Sequence, residues 1–214
     1  MGTSCDSTSP DPHRHLVSFC RHLWDERDLI VVLGPAGELQ RGRGAYSSLY
    51  GVRPLPHDRA TDLDRLLVAA GLAAVSLTDR ESWGWSMNLP GKEHGLFCAV
   101  EPEGALCGTA RDASRAGAAV VLQRQKPGGP IVQSHLEAPS HDPPAAVQRY
   151  FAQVEQIGTR LAVDDDGGAL IQALPGGDIQ EISGLDDASL LARARDLQGS
   201  GRLRLTEEVI LFYD

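Results

Sequence analysis

Cys98 and Cys107 are the one pair of reactive side chains in this chain whose spacing has geometric content. They flank Glu101-Pro-Glu-Gly104, a turn signal between two alternating runs, His94 to Val100 and Ala105 to Arg111. With Pro102 and Glu103 at the centre of a two-residue turn, residue 98 faces residue 107 across the hairpin, Cβ atoms about 4.5–5.5 Å apart. A disulfide prefers about 3.8 Å, so a bond there would be strained and easily reduced. The favoured reading is simpler: two small buried residues packing side by side. Neither cysteine belongs to a Cys-x-x-Cys at a helix N-terminus, the arrangement that lowers a thiol pKa, which argues against a thiol oxidoreductase.

Other constellations offer less. Asp164-Asp-Asp-Gly lacks the alternation of a calcium loop, because successive side chains point apart, and it reads as a hairpin turn. Gly84-Trp-Ser86-Met-Asn88 is half of a nucleophile elbow, but it lies inside a strand pattern. Gly42-x-Gly44 lacks both the third glycine and the lysine of the phosphate-binding loops. The histidines do not pair with carboxylates at helical metal spacing, and the four cysteines (Cys5, Cys20, Cys98, Cys107) contain no Cys-x-Cys or Cys-x-x-Cys. No nucleophile, base and orienting group can be named together. The expectation is a protein that is not an enzyme, with no catalytic residue, no cofactor and no metal.

The composition narrows the partners. A formal net charge of −9 and a pI near 5.2 argue against nucleic acid, whose phosphates need a basic face. Arg193, Arg195, Arg202 and Arg204 form a local basic stretch, but acidic neighbours make it read as a solvated helix surface. No apolar run approaches the ~18 residues of a membrane span, and the N-terminus has no apolar signal core. A cytoplasmic protein with a disordered start over residues 1–13 is expected. At 214 residues and 42% apolar content, one large domain with a real core fits, with room for a small appendage.

The elements follow from periodicity. Leu16 to Trp24 reads as a short helix, with Leu16, Phe19, Cys20 and Leu23 on one face, and Leu29 to Leu33 as a strand. Residues 38–56, rich in glycine and proline, predict strand pieces and loops. Thr61, with Asp64 three residues on, predicts a capped helix start whose inner face is Leu63, Leu66, Leu67, Ala70 and Ala74. Trp83 to Leu89 alternates as a half-buried strand, and further strand pairs fall at 118–123 with 131–136 and at 159–163 with 169–174. Asp142 with Pro143 and Pro144 opens a second helix, with Val147, Tyr150, Phe151, Val154 and Ile157 on its buried face and Gly158 ending it. The pattern predicts an α+β fold in which antiparallel-rich sheets pack with two central helices, a helix-then-strands module used twice. A core over 14–177 is followed by a helical, linker-like region over 178–214, with an apolar closing segment.

Within the second module, Tyr150-Phe-Ala-Gln-Val-Glu-Gln-Ile-Gly-Thr-Arg-Leu161 resembles the signature of the redox-regulated chaperonin family called heat-shock protein 33. His57-Asp58, Gly108-Thr-Ala-Arg111, Ala169-Leu-Ile-Gln-Ala-Leu-Pro175 and Glu207 to Asp214 are similar to further family segments, in the family's order. The family has Ser where Val154 stands and Pro where Gly158 stands. Its zinc domain, with a Cys-x-Cys and a Cys-x-x-Cys, has no counterpart in these cysteines, so no zinc is carried over.

The resemblance implies an ATP-independent holdase that binds unfolded or misfolding client proteins through exposed apolar surface, and it is compatible with a homodimer. It also implies that 178–214 lies over the core and regulates access. On that reading Val209, Ile210, Leu211 and Phe212 form an apolar client-binding or linker patch when undocked. The alternative is a regulatory module that recognises one specific protein partner.

Overall fold

The computed structural model describes residues 15–77, 80–113 and 117–214, so the expected disordered start over 1–13, with Cys5 in it, lies outside the described residues. Among the described residues, ten strands form one sheet, and five helices and a π-helical turn accompany it. The strands are β1 (Leu16–Trp24), β2 (Leu29–Pro35), β3 (Ser82–Asn88), β4 (His94–Val100), β5 (Ala105–Asp112), β6 (Ala119–Gln125), β7 (Ile131–Leu136), β8 (Thr159–Val163), β9 (Gly167–Ala173) and β10 (Arg204–Tyr213). The helices are α1 (Ala36–Leu49), α2 (His57–Ser76), α3 (Pro143–Tyr150), α4 (Gln180–Ser183) and α5 (Asp187–Gly199). Strand order is β7-β6-β3-β4-β5-β10-β1-β2-β9-β8, antiparallel throughout except where β10 meets β5.

The α+β class and the helix-then-strands module used twice are both present: α2 leads into β3 to β7, and α3 into β8 and β9. Helices α1, α2 and α3 lie on one face. There Leu63, Leu66, Leu67 and Leu72 of α2 meet Phe19, Trp83, Trp85, Leu96 and Leu170 in the main core. On the other face α5 buries Leu190, Leu191, Ala194 and Leu197 against Trp24, Leu29, Val31 and Ile171, and Ile182 of α4 joins them.

Several elements differ from the periodicity. Leu16 to Trp24 is a strand that is apolar on both faces: Phe19 packs in the main core, while Cys20 and Trp24 lie on the opposite face, so the spacings of three and four do not mark one side. Residues 36–49 are helical despite Gly42 and Gly44. Gly42 sits where a Cβ would lie 3.2 Å from the Cβ of His15 and 3.6 Å from that of Tyr213, so its missing side chain lets α1 approach the sheet. Helix α2 starts at His57 rather than Thr61, whose hydroxyl instead donates to the His57 carbonyl inside the helix.

The second helix opens as expected, with Asp142 Oδ2 accepting from the Ala145 N–H at 3.3 Å. It then changes to a π-helical turn over Phe151–Glu155 and ends at Gln156 in the left-handed region (φ 56°), with the Ile157 N–H returning to the Phe151 carbonyl. The wider turn rotates later residues off the buried face, which is why Val154 is exposed while Tyr150 and Phe151 are buried. Gly158 is not the terminator.

Candidate functional site

The cysteine hairpin has a different register from the one its sequence suggests. The Glu101 carbonyl accepts from the Gly104 N–H, Ala105 closes back on the Glu101 N–H, and Gly104 adopts φ +95°. The loop is therefore three residues long, with glycine in the position that requires positive φ. One extra residue shifts the pairing by one, so Cys98 lies opposite Gly108 and Cys107 opposite Ala99. A shift by one turns the side chains to opposite faces of the sheet. Cys98 is buried under α2 and Cys107 is half-buried on the other side. Burial pushes both thiols up from their ordinary value, so neither is a thiolate near neutral pH.

The segment with Val209, Ile210, Leu211 and Phe212 is likewise placed by strand chemistry. The extension is helical as far as Gly199, and its last part is β10, which enters the sheet between β5 and β1. Val209, Leu211 and Tyr213 alternate with Ile210 and Phe212, the period of a strand. Leu211 is buried against the main core (2% exposed), whereas Ile210 is 42% exposed on the opposite face, with Phe212 half-buried beside it. The four residues therefore divide between two faces and do not form one patch.

The pairing registers carry one continuous face across the sheet. Gly84 lies opposite Ala99, Ala99 opposite Cys107, Ala105 opposite Phe212, Ile210 opposite Ser18, Cys20 opposite Leu33 and Leu33 opposite Ala169. Over β1, β2, β9 and β8 this face is covered by α4 and α5. Over β10, β5, β4, β3, β6 and β7, no helix covers it among the described residues. The bare half carries mainly uncharged side chains, among them Gly84, Ser86, Ala99, Ala105, Cys107, Phe97, Val121, Gln123 and Ile131, with Ile210 and Phe212 on β10 and two exposed charges, Arg111 on β5 and Glu208 on β10. A depression of 180 Å³ opens on it, with Gly84 and Ala99 in the lining beside Phe97 and Ile131. A 270 Å³ groove lined by Ser18, Cys20, Leu33, Leu191, Arg195 and Gln198 marks the boundary with the covered half.

The basic stretch belongs to this boundary. Arg193 binds Glu181 and Asp196, Arg195 binds Asp164, Arg202 binds Glu26 and Arg204 binds Asp25. Arg193 and Arg202 also lie over the Trp24 ring, at 5.3 and 5.4 Å. These arginines fasten the α4–α5 layer and the start of β10 to the sheet, a role the charge pattern alone did not show. From the sheet side, Arg160 donates to the carbonyls of Ile182, Ser183 and Leu185 at 3.2, 2.6 and 2.7 Å.

The polar residues around the Tyr150 to Leu161 phrase hold the scaffold. Arg124 donates to Glu81 at 2.8 Å and to the Tyr150 hydroxyl at 2.7 Å, and it pairs with Glu155 while lying 4.7 Å over Trp83. Burial and the bond to Glu155 push the Tyr150 phenol up, so it stays a donor. Gln148 Oε1 accepts from the Leu161 N–H at 2.8 Å, outside the β-ladder. On α2, His94 Nε2 and Lys92 Nζ both reach Asp62 Oδ2, at 3.0 and 2.7 Å, which pins the helix to β4. Asp164 takes the Asp166 and Gly167 N–H groups, making the expected hairpin turn. Ser86 sits on the bare half of a regular strand and not on an elbow.

What this arrangement offers is a surface. Among the described residues, no three His, Cys, Asp or Glu come together to hold a metal ion, and Cys20, Cys98 and Cys107 occupy three different strands. The described residues therefore do not fit a cysteine-ligated zinc. Among them, too, no helix is long and apolar enough to cross a membrane.

The family model described as Hsp33 protein matches residues 38–210, so this chain belongs to the Hsp33 family, a family of chaperones. The solved structure of the 33 kDa chaperonin (heat shock protein 33 homolog) from Thermotoga maritima shares the fold. Its TM-score is 0.65 at 15% sequence identity, covering 94% of this chain and 79% of that one. No curated protein matches this chain.

Proposed function

We propose that this chain is an ATP-independent holdase whose client surface is the bare half of the sheet face. The observation that carries it is a sheet face six strands wide, with few charged side chains (Glu101, Arg111 and Glu208 among them), left uncovered on a chain of a chaperone family. Contiguous surface of that kind marks an interaction site on a soluble protein. Its small side chains suit partners of varied shape, because a shallow floor imposes no single complement. A nucleotide plays no part in this reading. A Cys98–Cys107 disulfide plays none either, since the two lie on opposite faces of the sheet. Access is set by the α4–α5 layer, which covers the adjoining half over Trp24, Leu29 and Val31.

The test is light scattering from a thermally unfolding client, with and without peroxide. Suppression of scattering that is equal in both conditions is the expected result. Unsuppressed scattering in both would remove the holdase reading, and suppression that appears with peroxide alone would restore a redox trigger.

A further inference from the structure

We infer that β7 is a strand-docking edge, where an extended, uncharged segment of an unfolded polypeptide pairs with Ile131–Leu136 as an additional strand; this rests on the holdase reading and specifies how a client is held. Strand β7 ends the sheet, paired with β6 and no other strand among the described residues. An end strand leaves about half of its main-chain N–H and C=O groups facing outward, a template for another chain. Natural sheets blunt such edges with lysine, proline, bulges or covering elements. Ile131-Val-Gln-Ser-His-Leu136 has none of these residues, and its register with β6 runs without a shift.

Both faces are bare at the start of this edge, whereas Leu136 at its end packs against the main core. Ile131 is 61% exposed and Val132 is 60% exposed, and successive strand residues point to opposite faces. The opposite end of the same sheet is managed differently. On β8 the Leu161 N–H is taken by Gln148, and Arg160 ties the strand to the carbonyls of the α4 region. One edge is closed and the other is open.

The occupant follows from area and charge. A six-residue edge is roughly 20 Å long and one sheet thick, on the order of 10 Å. Pairing two such edges buries a few hundred Å², well short of the roughly 1,200 Å² of a stable protein pair. Two copies also each carry a formal net charge of −9, which opposes their approach. An unfolded segment meets neither limit, because it gains main-chain hydrogen bonds at the edge and can continue across the bare half, past the depression beside Ile131.

Hydrogen exchange of the full chain, alone and with reduced, carboxamidomethylated α-lactalbumin as a permanently unfolded probe, tests this. The expected result is exchange at 131–136 slowed on the order of tenfold by the probe. The paired substitution Val132→Lys and Gln133→Lys, at two exposed positions, should abolish that slowing and weaken suppression of client aggregation several-fold. Suppression with unchanged exchange at 131–136 overturns the edge proposal and leaves the holdase reading intact. Absent suppression with slowed exchange at 131–136 does the reverse. Slowing that needs no probe and grows with protein concentration makes a second copy the occupant and overturns the proposal.

Discussion

One face of this sheet is covered over four strands and bare over six, and the two halves are made of different side chains. Under α4 and α5 the strands present Trp24, Leu29, Val31 and Ile171, all fully buried. On the bare half the central positions hold Gly84, Ala99, Ala105 and Cys107, with Phe97, Val121, Ile131, Ile210 and Phe212 as larger members. Hydrophobic stabilisation scales with apolar area removed from water, at about 25 cal/mol per Å². The largest fully buried side chain of this face, Trp24, thus stands where a helix removes it from water, while the middle strands of the bare half carry small residues at Gly84, Ala99, Ala105 and Cys107. The bare half is tolerable in water because its larger apolar members, Phe97, Val121, Ile131, Ile210 and Phe212, are separated by small and polar side chains on a wide floor.

This contrast can be broken from the covered side. Trp24→Ala removes the largest side chain of the covered half and the ring beneath Arg193 and Arg202, so a loss of about 3–5 kcal/mol is expected in chemical denaturation. A loss below 1 kcal/mol would mean that the layer barely contributes. Arg160→Ala leaves three carbonyls of the α4 region without their donor, and a cost of about 1–3 kcal/mol is expected. Faster amide exchange confined to 180–199 would show that the layer lifts by itself. Uniformly faster exchange would instead make it inseparable from the core.

The bare side should behave in the opposite way. Phe97→Ser is expected to change stability by about 1 kcal/mol or less, because Phe97 is half-buried with no helix over it. Suppression of client scattering should nonetheless fall several-fold. A variant that loses stability and keeps suppression would reverse the assignment of the two halves.

What the sequence could show depended on how local each feature is. The Asp142 cap, the Trp83 to Leu89 alternation and the α2 core face are encoded within a few residues, and all three are present. The bare half was half legible, since a strand that buries Trp83, Trp85 and Met87 must turn Gly84 and Ser86 the other way. That nothing covers them depends on where α5 lands, which no local pattern contains. The place of β10 was hidden for a similar reason. Its alternation is visible, but its partners are Leu16 to Leu23 at the far end of the chain and Ala105 and Leu106 in the middle. In the hairpin, a single positive-φ residue, Gly104, decided the register and with it the relation of Cys98 to Cys107.

The smallest expected effect is a pH dependence confined to the covered side. His22 pairs with Val31, whose side chain lies beneath the α4–α5 layer. Burial pushes its imidazole down from the ordinary 6.5, against main-chain hydrogen bonds at Val31 and Cys20. The unfolded chain therefore binds the proton more readily than the folded one. This contribution to stability is complete above about 6.5 and is lost as pH falls through the lower folded value. The denaturation midpoint should drop between pH 7.5 and pH 5.5, and His22→Gln should flatten that slope. Amide exchange should locate the change: residues 185–197 and β2 open at the lower pH, while 97–107 on the bare half keep their rates. Equal opening of both halves would mean that the sheet responds as one unit and that the covered layer has no separate equilibrium for a switch to act on.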